Sequence, residues 1–227
     1  MTQTKSIGLV GGLGVGAAIH YYKHLSDAFA ARGAQPGLVI SHADIGRAYS
    51  MVQRGEMNAL AAYLNEHLIV LKNAGCDFAA IAAVTPLICA PRLDEIAVLP
   101  RIDVFDCVNA ELKRRKAKRV AVLGTQFVMQ TDMFGRLEDA EIVRPTPSQF
   151  ELVQSNYLII ARTGGIEHAD IEGIRAIGKD LANSGADAVI LAGTELSLAF
   201  TEENAGFPAL DSGRVHIDAI LERAFDA

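Results

Sequence analysis

Two threonines and a glycine-rich turn are the residues whose types and spacing indicate ligand chemistry. Thr85 and Thr194 each follow an apolar run of strand length, and Gly12, Leu13 and Gly14 lie in a turn between a predicted strand and a predicted helix. Such a turn presents backbone N–H groups at a helix N-terminus, which suits a carboxylate or a phosphate. The sequence therefore predicts a site for a small anion.

Arg54 is a second candidate for holding an anionic substrate. It precedes a helix predicted over residues 57–73, where a cation gains nothing from the helix dipole. The alternative is an ordinary surface arginine. Dinucleotide binding is a weaker interpretation of the glycine turn, because neither the glycines nor Asp44 keep the spacing of that fingerprint.

The strands that would position these residues occur twice. Residues 75–85 and 185–194 each contain a glycine that ends a helix, an aspartate two positions later, an uninterrupted apolar run and a threonine. Upstream, residues 5–12 match residues 118–125, which places Gly124 and Thr125 in a second strand-to-helix turn. A chance match of two common strand patterns is the alternative to a duplication.

The repeat predicts an α/β fold made of two similar lobes, each a parallel sheet flanked by helices, with a ligand cleft between the lobes. We expect the first lobe over residues 1–100, joined by a C-terminal helix over 213–227, and the second over 101–212. Other predicted helices include 155–161, ended by residues 163–165, and a short one over 93–99. Residues 47–56 are predicted as a polar connection.

Composition limits the function classes. The chain has 227 residues, half of them hydrophobic, and a net charge of −6. This charge provides no general attraction for nucleic acid or an acidic membrane. The three cysteines lack metal-ligand or redox spacing, and no apolar run approaches the length of a membrane span. We expect a cytoplasmic protein with reduced thiols and no bound metal.

Several short segments together give the sequence a family likeness. It resembles the aspartate/glutamate racemase family, the cofactor-independent amino-acid racemases, over nearly its full length. The resemblance implies two α/β lobes, a homodimer, a small carboxylate or amino acid as substrate, and no cofactor. The segments that carry it are residues 7–14, 53–56, 122–125, 194–195 and 211–212.

In that family each lobe supplies one acid/base residue, normally a cysteine, to opposite faces of the substrate α-carbon. The matching positions here are Ala83 and Gly193. The methyl side chain of alanine and the hydrogen of glycine cannot donate or accept a proton, so the two-thiol reaction cannot run in its standard form. The resemblance also places Val84, Thr85, Gly124, Thr125, Gly193, Thr194 and Glu195 among the substrate-binding positions.

Three other side chains are weaker candidates for the missing base. His42 ends the second predicted strand, and histidine suits base chemistry near neutral pH. Cys89 is the nearest thiol, although a packed core thiol in the following helix is the simpler interpretation. Glu195 is a candidate acid, with a structural role toward neighbouring backbone N–H groups as its alternative.

Three functions follow from these observations. The first is cofactor-independent proton transfer at the α-carbon of a small carboxylate or amino acid. The second is a carboxylate-binding protein without catalysis. The third is a cofactor-independent decarboxylase or isomerase of a less polar carboxylic acid.

Overall fold

The computed structural model describes residues 4–163 and 165–226. The chain divides into two compact units. The first unit contains the residues up to Asp103 and those from His216 onward. The second unit is Val104–Val215. The predicted lobe limits at residues 1 and 227, and the predicted helix end at Gly164, lie outside the described residues.

The first unit is built on a four-stranded sheet in the order β2-β1-β3-β4, with every pair of neighbours parallel. Its strands are β1 (Ile7–Gly11), β2 (Leu38–His42), β3 (Phe78–Ile81) and β4 (Arg101–Ile102). Its helices are α1 (Val15–Ala31), α2 (Ile45–Arg54), α3 (Met57–Asn73) and α4 (Ala90–Ile96), with a 3-10 turn at Thr85–Cys89.

The second unit repeats this sheet in the order β6-β5-β7-β8, again with parallel neighbours. Its strands are β5 (Arg119–Gly124), β6 (Glu141–Ile142), β7 (Ala188–Ala192) and β8 (Ala209–Asp211). Its helices are α5 (Val104–Arg115), α6 (Gln126–Gln130), α7 (Pro147–Thr163), α8 (Ile171–Asn183) and α9 (Thr194–Ser197), with a 3-10 turn at Met133–Gly135. The last helix, α10 (Ser212–Phe225), begins in the second unit and continues in the first.

The repeated glycine and aspartate have a structural role. Gly75 and Gly185 have φ angles of +85° and +95°, a left-handed conformation that favours glycine. The Asp77 carboxylate accepts a hydrogen bond of 2.6 Å from the N–H of Ser6, just before β1. Asp187 likewise accepts from the N–H groups of Lys118 and Arg119 at 2.9 and 2.8 Å, and these bonds lower its pKa.

The predicted α/β class, with two parallel sheets flanked by helices and a repeated strand order, is confirmed. The polar connection predicted over residues 47–56 is wrong, because residues 45–54 form α2. The Asp44 carboxylate caps its start by accepting from the N–H groups of Gly46 and Arg47, and Gly55 ends it with φ of 71°.

The short helix α4 begins earlier than predicted, at Ala90, because Pro91 fits the first turn of a helix. None of the described helices is both long and apolar enough to cross a membrane.

Candidate functional site

The carboxyl end of β1 is a tightly packed glycine turn. Gly12 has φ of +82°, and a Cβ atom there would lie 2.8 Å from the backbone N of Ala43 and 2.9 Å from the His42 ring. The N–H of Ala43 donates to the carbonyl of Gly11 at 2.8 Å. Glycine is therefore required by both conformation and space, and it holds the ends of β1 and β2 together.

The turn leads directly into α1, whose N-terminus has no side-chain cap within the described residues. Gly14 is the N-cap residue, the buried Leu13 precedes it, and the first turn contains no acidic side chain. The opening N–H groups of a 17-residue helix are thus available to an anion, and the helix dipole favours negative charge there. The anion site expected at Gly12, Leu13 and Gly14 stays a prediction.

His42 ends β2 directly opposite Gly11, and its side chain is exposed. The preceding residue, Ser41, points to the other face of the sheet, where its hydroxyl lies 2.8 Å from Nδ1 of His67 in α3. Burial lowers the pKa of His67. The Ser41 and His67 pair was not predicted, because a histidine beside the apolar positions of a helix looks like a packing residue in sequence.

The end of β3 offers no ionisable side chain at residues 83–85. Ala83 is half-buried, Val84 is buried, and Thr85 opens the 3-10 turn. Cys89 lies in that 3-10 turn and not in the following helix as predicted. Its thiol is buried and donates to the carbonyl of Pro86 at 3.2 Å.

Burial raises the pKa of the Cys89 thiol to about 12. A thiol with this pKa holds its proton at neutral pH, so Cys89 is a poor base where it lies.

Arg54 is the last residue of α2, where its charge is favourable to the helix dipole, so the argument that it gains nothing from a helix is wrong. Its guanidinium donates to both carboxylate oxygens of Glu56 at 2.7 and 2.8 Å and also contacts the Ser50 hydroxyl. This pairing raises the pKa of Arg54 and lowers that of Glu56. A role in holding substrate stays a prediction.

In the second unit, Gly124 and Thr125 form the turn after β5. A Cβ atom on Gly124 would lie 2.6 Å from the carbonyl oxygen of Ala192 at the end of β7, so these two strand ends approach closely. The buried Thr125 hydroxyl caps α6 by accepting from the N–H of Val128 at 3.3 Å. The side chain of Thr125 thus supports the turn that follows the strand.

Gly193, Thr194 and Glu195 follow β7 and open α9. A Cβ atom on Gly193 would lie 2.7 and 2.9 Å from Cε2 and Cζ of Tyr157, and closer still to its hydroxyl oxygen. That hydroxyl donates to the Glu195 carboxylate, which the Thr194 hydroxyl also contacts at 3.4 Å. Tyr157 was not predicted, because nothing in the sequence connects α7 with Gly193.

Comparison with known proteins identifies the family. The model of the Asp/Glu/Hydantoin racemase family matches residues 10–220. The chain belongs to the Asp/Glu/Hydantoin racemase family. The predicted resemblance to aspartate/glutamate racemases is therefore confirmed.

Solved structures share the fold of this family member. A Yersinia pestis protein assigned as an Asp/Glu racemase is 22% identical with a TM-score of 0.86, over 98% of this chain and 100% of that one. An aspartate racemase homologue from Pyrococcus horikoshii OT3 is 25% identical with a TM-score of 0.81, over 98% and 100%. Arylmalonate decarboxylase is 14% identical with a TM-score of 0.54, over 98% and 93%. The fold alone therefore does not select between racemases and a decarboxylase.

Two polar clusters in this family member support helix α10. The buried Asp211 carboxylate accepts from the Ser197 hydroxyl at 2.7 Å and from the N–H groups of Gly213 and Arg214. Burial raises the pKa of Asp211 in spite of these bonds. The Ser212 hydroxyl donates to the carbonyl of Leu191 at 2.6 Å. Both side chains fix the start of the helix.

His216 is fully buried in α10, with Nε2 3.0 Å from the carbonyl of Ile102 and Nδ1 2.9 Å from the Tyr21 hydroxyl. A carbonyl only accepts hydrogen bonds, so Nε2 carries a proton. Burial lowers the pKa of the imidazole to about 4, so the ring is neutral near pH 7 and Nδ1 accepts from the Tyr21 hydroxyl.

Among the described residues, no group of three or more His, Cys, Asp or Glu side chains has the arrangement of a metal site.

Proposed function

We propose that this family member binds a small carboxylate or amino acid and catalyses cofactor-independent proton transfer at its α-carbon. The observation that carries the proposal is the carboxyl end of β1, where a packed glycine turn opens into the uncapped N-terminus of α1 beside the His42 ring. This end of a parallel strand is where α/β proteins bind ligands, and a carboxylate complements the helix dipole there.

The same end carries a titratable side chain. His42 lies against Gly12 at this turn, and its ring is exposed, so a bound ligand could meet a proton acceptor there. In the second unit, Gly124, Thr125, Thr194 and Glu195 stand at the corresponding strand ends and are proposed as further substrate-binding positions. The family membership supports a carbon acid as substrate.

A carboxylate-binding protein without catalysis is the second candidate. It is favoured by one specific observation, since Ala83 and Gly193 offer no proton at the two positions where the family has thiols. A decarboxylase of a less polar acid is compatible with the same changes, because loss of carbon dioxide itself produces the carbanion and needs only one proton donor.

The organisation of the protein around this chemistry is part of the proposal. We expect lobes over residues 1–100 with 213–227 and over 101–212, a homodimer, and a cytoplasmic location. The homodimer follows from the family resemblance.

The proposal is tested by incubating the protein in deuterated water with aspartate, glutamate and a panel of hydroxy- and alkyl-substituted carboxylic acids. Loss of the α-proton signal by NMR measures proton abstraction without assuming a product. Exchange in at least one compound supports proton transfer. Binding without exchange at high protein concentration would contradict it and support the carboxylate-binding protein.

The anion seat is tested separately at Val15, the first residue of α1, whose side chain is 63% exposed. Val15→Asp places a negative charge where the ligand carboxylate is expected, and Val15→Asn is the matched neutral control. We expect the aspartate variant to bind the carboxylate several-fold more weakly than the asparagine variant, although aspartate itself suits a helix N-terminus. Equal affinities would show that the ligand binds elsewhere.

A further inference from the structure

Gly193 is a glycine because Tyr157 occupies the space of its side chain. The backbone of Gly193 is extended, with φ of 161°, and any residue can adopt that conformation. A Cβ atom on Gly193 would instead overlap the phenol ring of Tyr157 near its hydroxyl. The Tyr157 hydroxyl therefore lies where a side chain at position 193 would begin.

The acceptor of the Tyr157 hydroxyl is a carboxylate. The Tyr157 hydroxyl donates to a carboxylate oxygen of Glu195, and the Thr194 hydroxyl lies 3.4 Å from the same oxygen. Hydrogen bonds from a hydroxyl to a carboxylate are short and strong. A carboxylate in this position can accept the phenolic proton as the phenol oxygen takes up another proton.

The Tyr157 and Glu195 pair also lies at the end of the sheet where a ligand is expected to bind. Gly193 follows β7, a central strand of its sheet, and parallel sheets bind ligands outside the carboxyl ends of their strands. Tyr157 is 9% exposed and Glu195 is half-buried, so the pair is largely buried but keeps some exposure to solvent. Partial burial strengthens the electrostatic interaction between such groups.

We propose that Tyr157 and Glu195 form a proton relay that serves the second unit in place of a side chain at position 193. This inference rests on the proposed proton transfer at a carbon acid. As the α C–H bond breaks, its electron pair stays on the substrate and the proton moves to the Tyr157 oxygen. The phenolic proton moves at the same time to Glu195, which becomes a neutral carboxylic acid. The reverse steps return a proton to the carbanion.

Tyr157→Phe and Glu195→Gln test the relay in the deuterium-exchange assay. Positioned acid/base groups contribute about 10²–10⁴-fold to rate, so we expect the exchange of one enantiomer of the substrate to fall at least about 100-fold in each variant. Tyr49→Phe removes the hydroxyl of a tyrosine on α2 and is the matched control, with wild-type exchange expected. Circular dichroism and thermal unfolding confirm that each variant is folded.

A second measurement separates proton transfer from packing. Replacing Tyr157 with 3-fluorotyrosine keeps the shape of the ring and makes the phenol more acidic. We expect the pH profile of exchange to move toward lower pH, which a purely structural tyrosine would not cause.

The outcomes distinguish the two proposals. If Tyr157→Phe exchanges both enantiomers at the wild-type rate, or if 3-fluorotyrosine leaves the pH profile unchanged, the relay is overturned and the proposed function stays intact. If the wild-type protein exchanges the α-proton of none of the compounds in the panel, both the proposed function and the relay are overturned.

Discussion

The buried imidazole of His216 makes the stability of the protein depend on pH in a way that can be calculated. Its pKa is about 4 in the folded protein and about 6.5 in an unfolded chain. Above pH 6.5 both states are neutral, and the stability is fully present. As the pH falls from 6.5 to 4, the unfolded chain binds a proton that the folded protein does not, so unfolding becomes more favourable.

The size of the effect follows from the two pKa values. A difference of about 2.5 at 1.36 kcal/mol for each pKa unit gives a loss of about 3 kcal/mol between pH 7 and pH 4. The charges near His216 act in opposite directions, because Asp103 raises its pKa and Arg101 lowers it. Burial is therefore the main cause of the low value.

The assay compares wild type with His216→Phe by urea unfolding, followed by circular dichroism, at several pH values. The variant also loses the hydrogen bonds to Tyr21 and Ile102, but that loss is nearly the same at each pH. We expect the stability advantage of the wild type to shrink by about 3 kcal/mol from pH 7 to pH 4. His168→Gln, at an exposed histidine, is the control and should leave the shape of the curve unchanged.

A constant difference between wild type and His216→Phe over this range would refute the reasoning. So would an NMR titration in which the His216 ring protonates near pH 6.5. The same spectra test the tautomer, since the proton should reside on Nε2.

Three further predictions concern the strand ends. Ala83→Cys with Gly193→Cys should yield an unstable protein without racemisation of aspartate or glutamate, because the new side chain at 193 overlaps Tyr157; a chiral assay that detects racemisation would show that Tyr157 moves aside. Gly124→Ala should cost about 1–3 kcal/mol, since its Cβ would lie 2.6 Å from a carbonyl of the neighbouring strand; an unchanged midpoint in urea would contradict that close approach. Cys89 should react with a thiol reagent only after unfolding, because burial raises its pKa to about 12; modification of the folded protein at Cys89, located by mass spectrometry, would contradict its burial.

The sequence was informative where structure is determined locally. Helix α3 begins and ends at the predicted residues, because apolar periodicity and a following turn define it. The repeated Gly75 and Gly185 indicated the duplicated sheets correctly, although their aspartates fix strand starts and take no part in the proposed site.

The candidate site was harder to predict because its contacts are distant in sequence. Tyr157 reaches Gly193 only because α7 packs beside the end of β7, and no local pattern encodes that approach. Helix α2 was missed because only Ala48 and Val52 are buried, so its polar composition concealed the helix. In both cases packing between elements decided the outcome.

The path of the chain through α10 has a consequence for the order of events during synthesis. The core of the first unit combines Leu9 and Phe29 with Ile217 and Leu221, and Tyr21 meets His216 across 195 positions. The second unit is one continuous stretch of chain. On a ribosome it can therefore close its core before the first unit, whose early strands must wait for the last helix to emerge. Residues synthesised first are among the last to be buried, and their apolar faces stay incompletely covered until α10 has emerged.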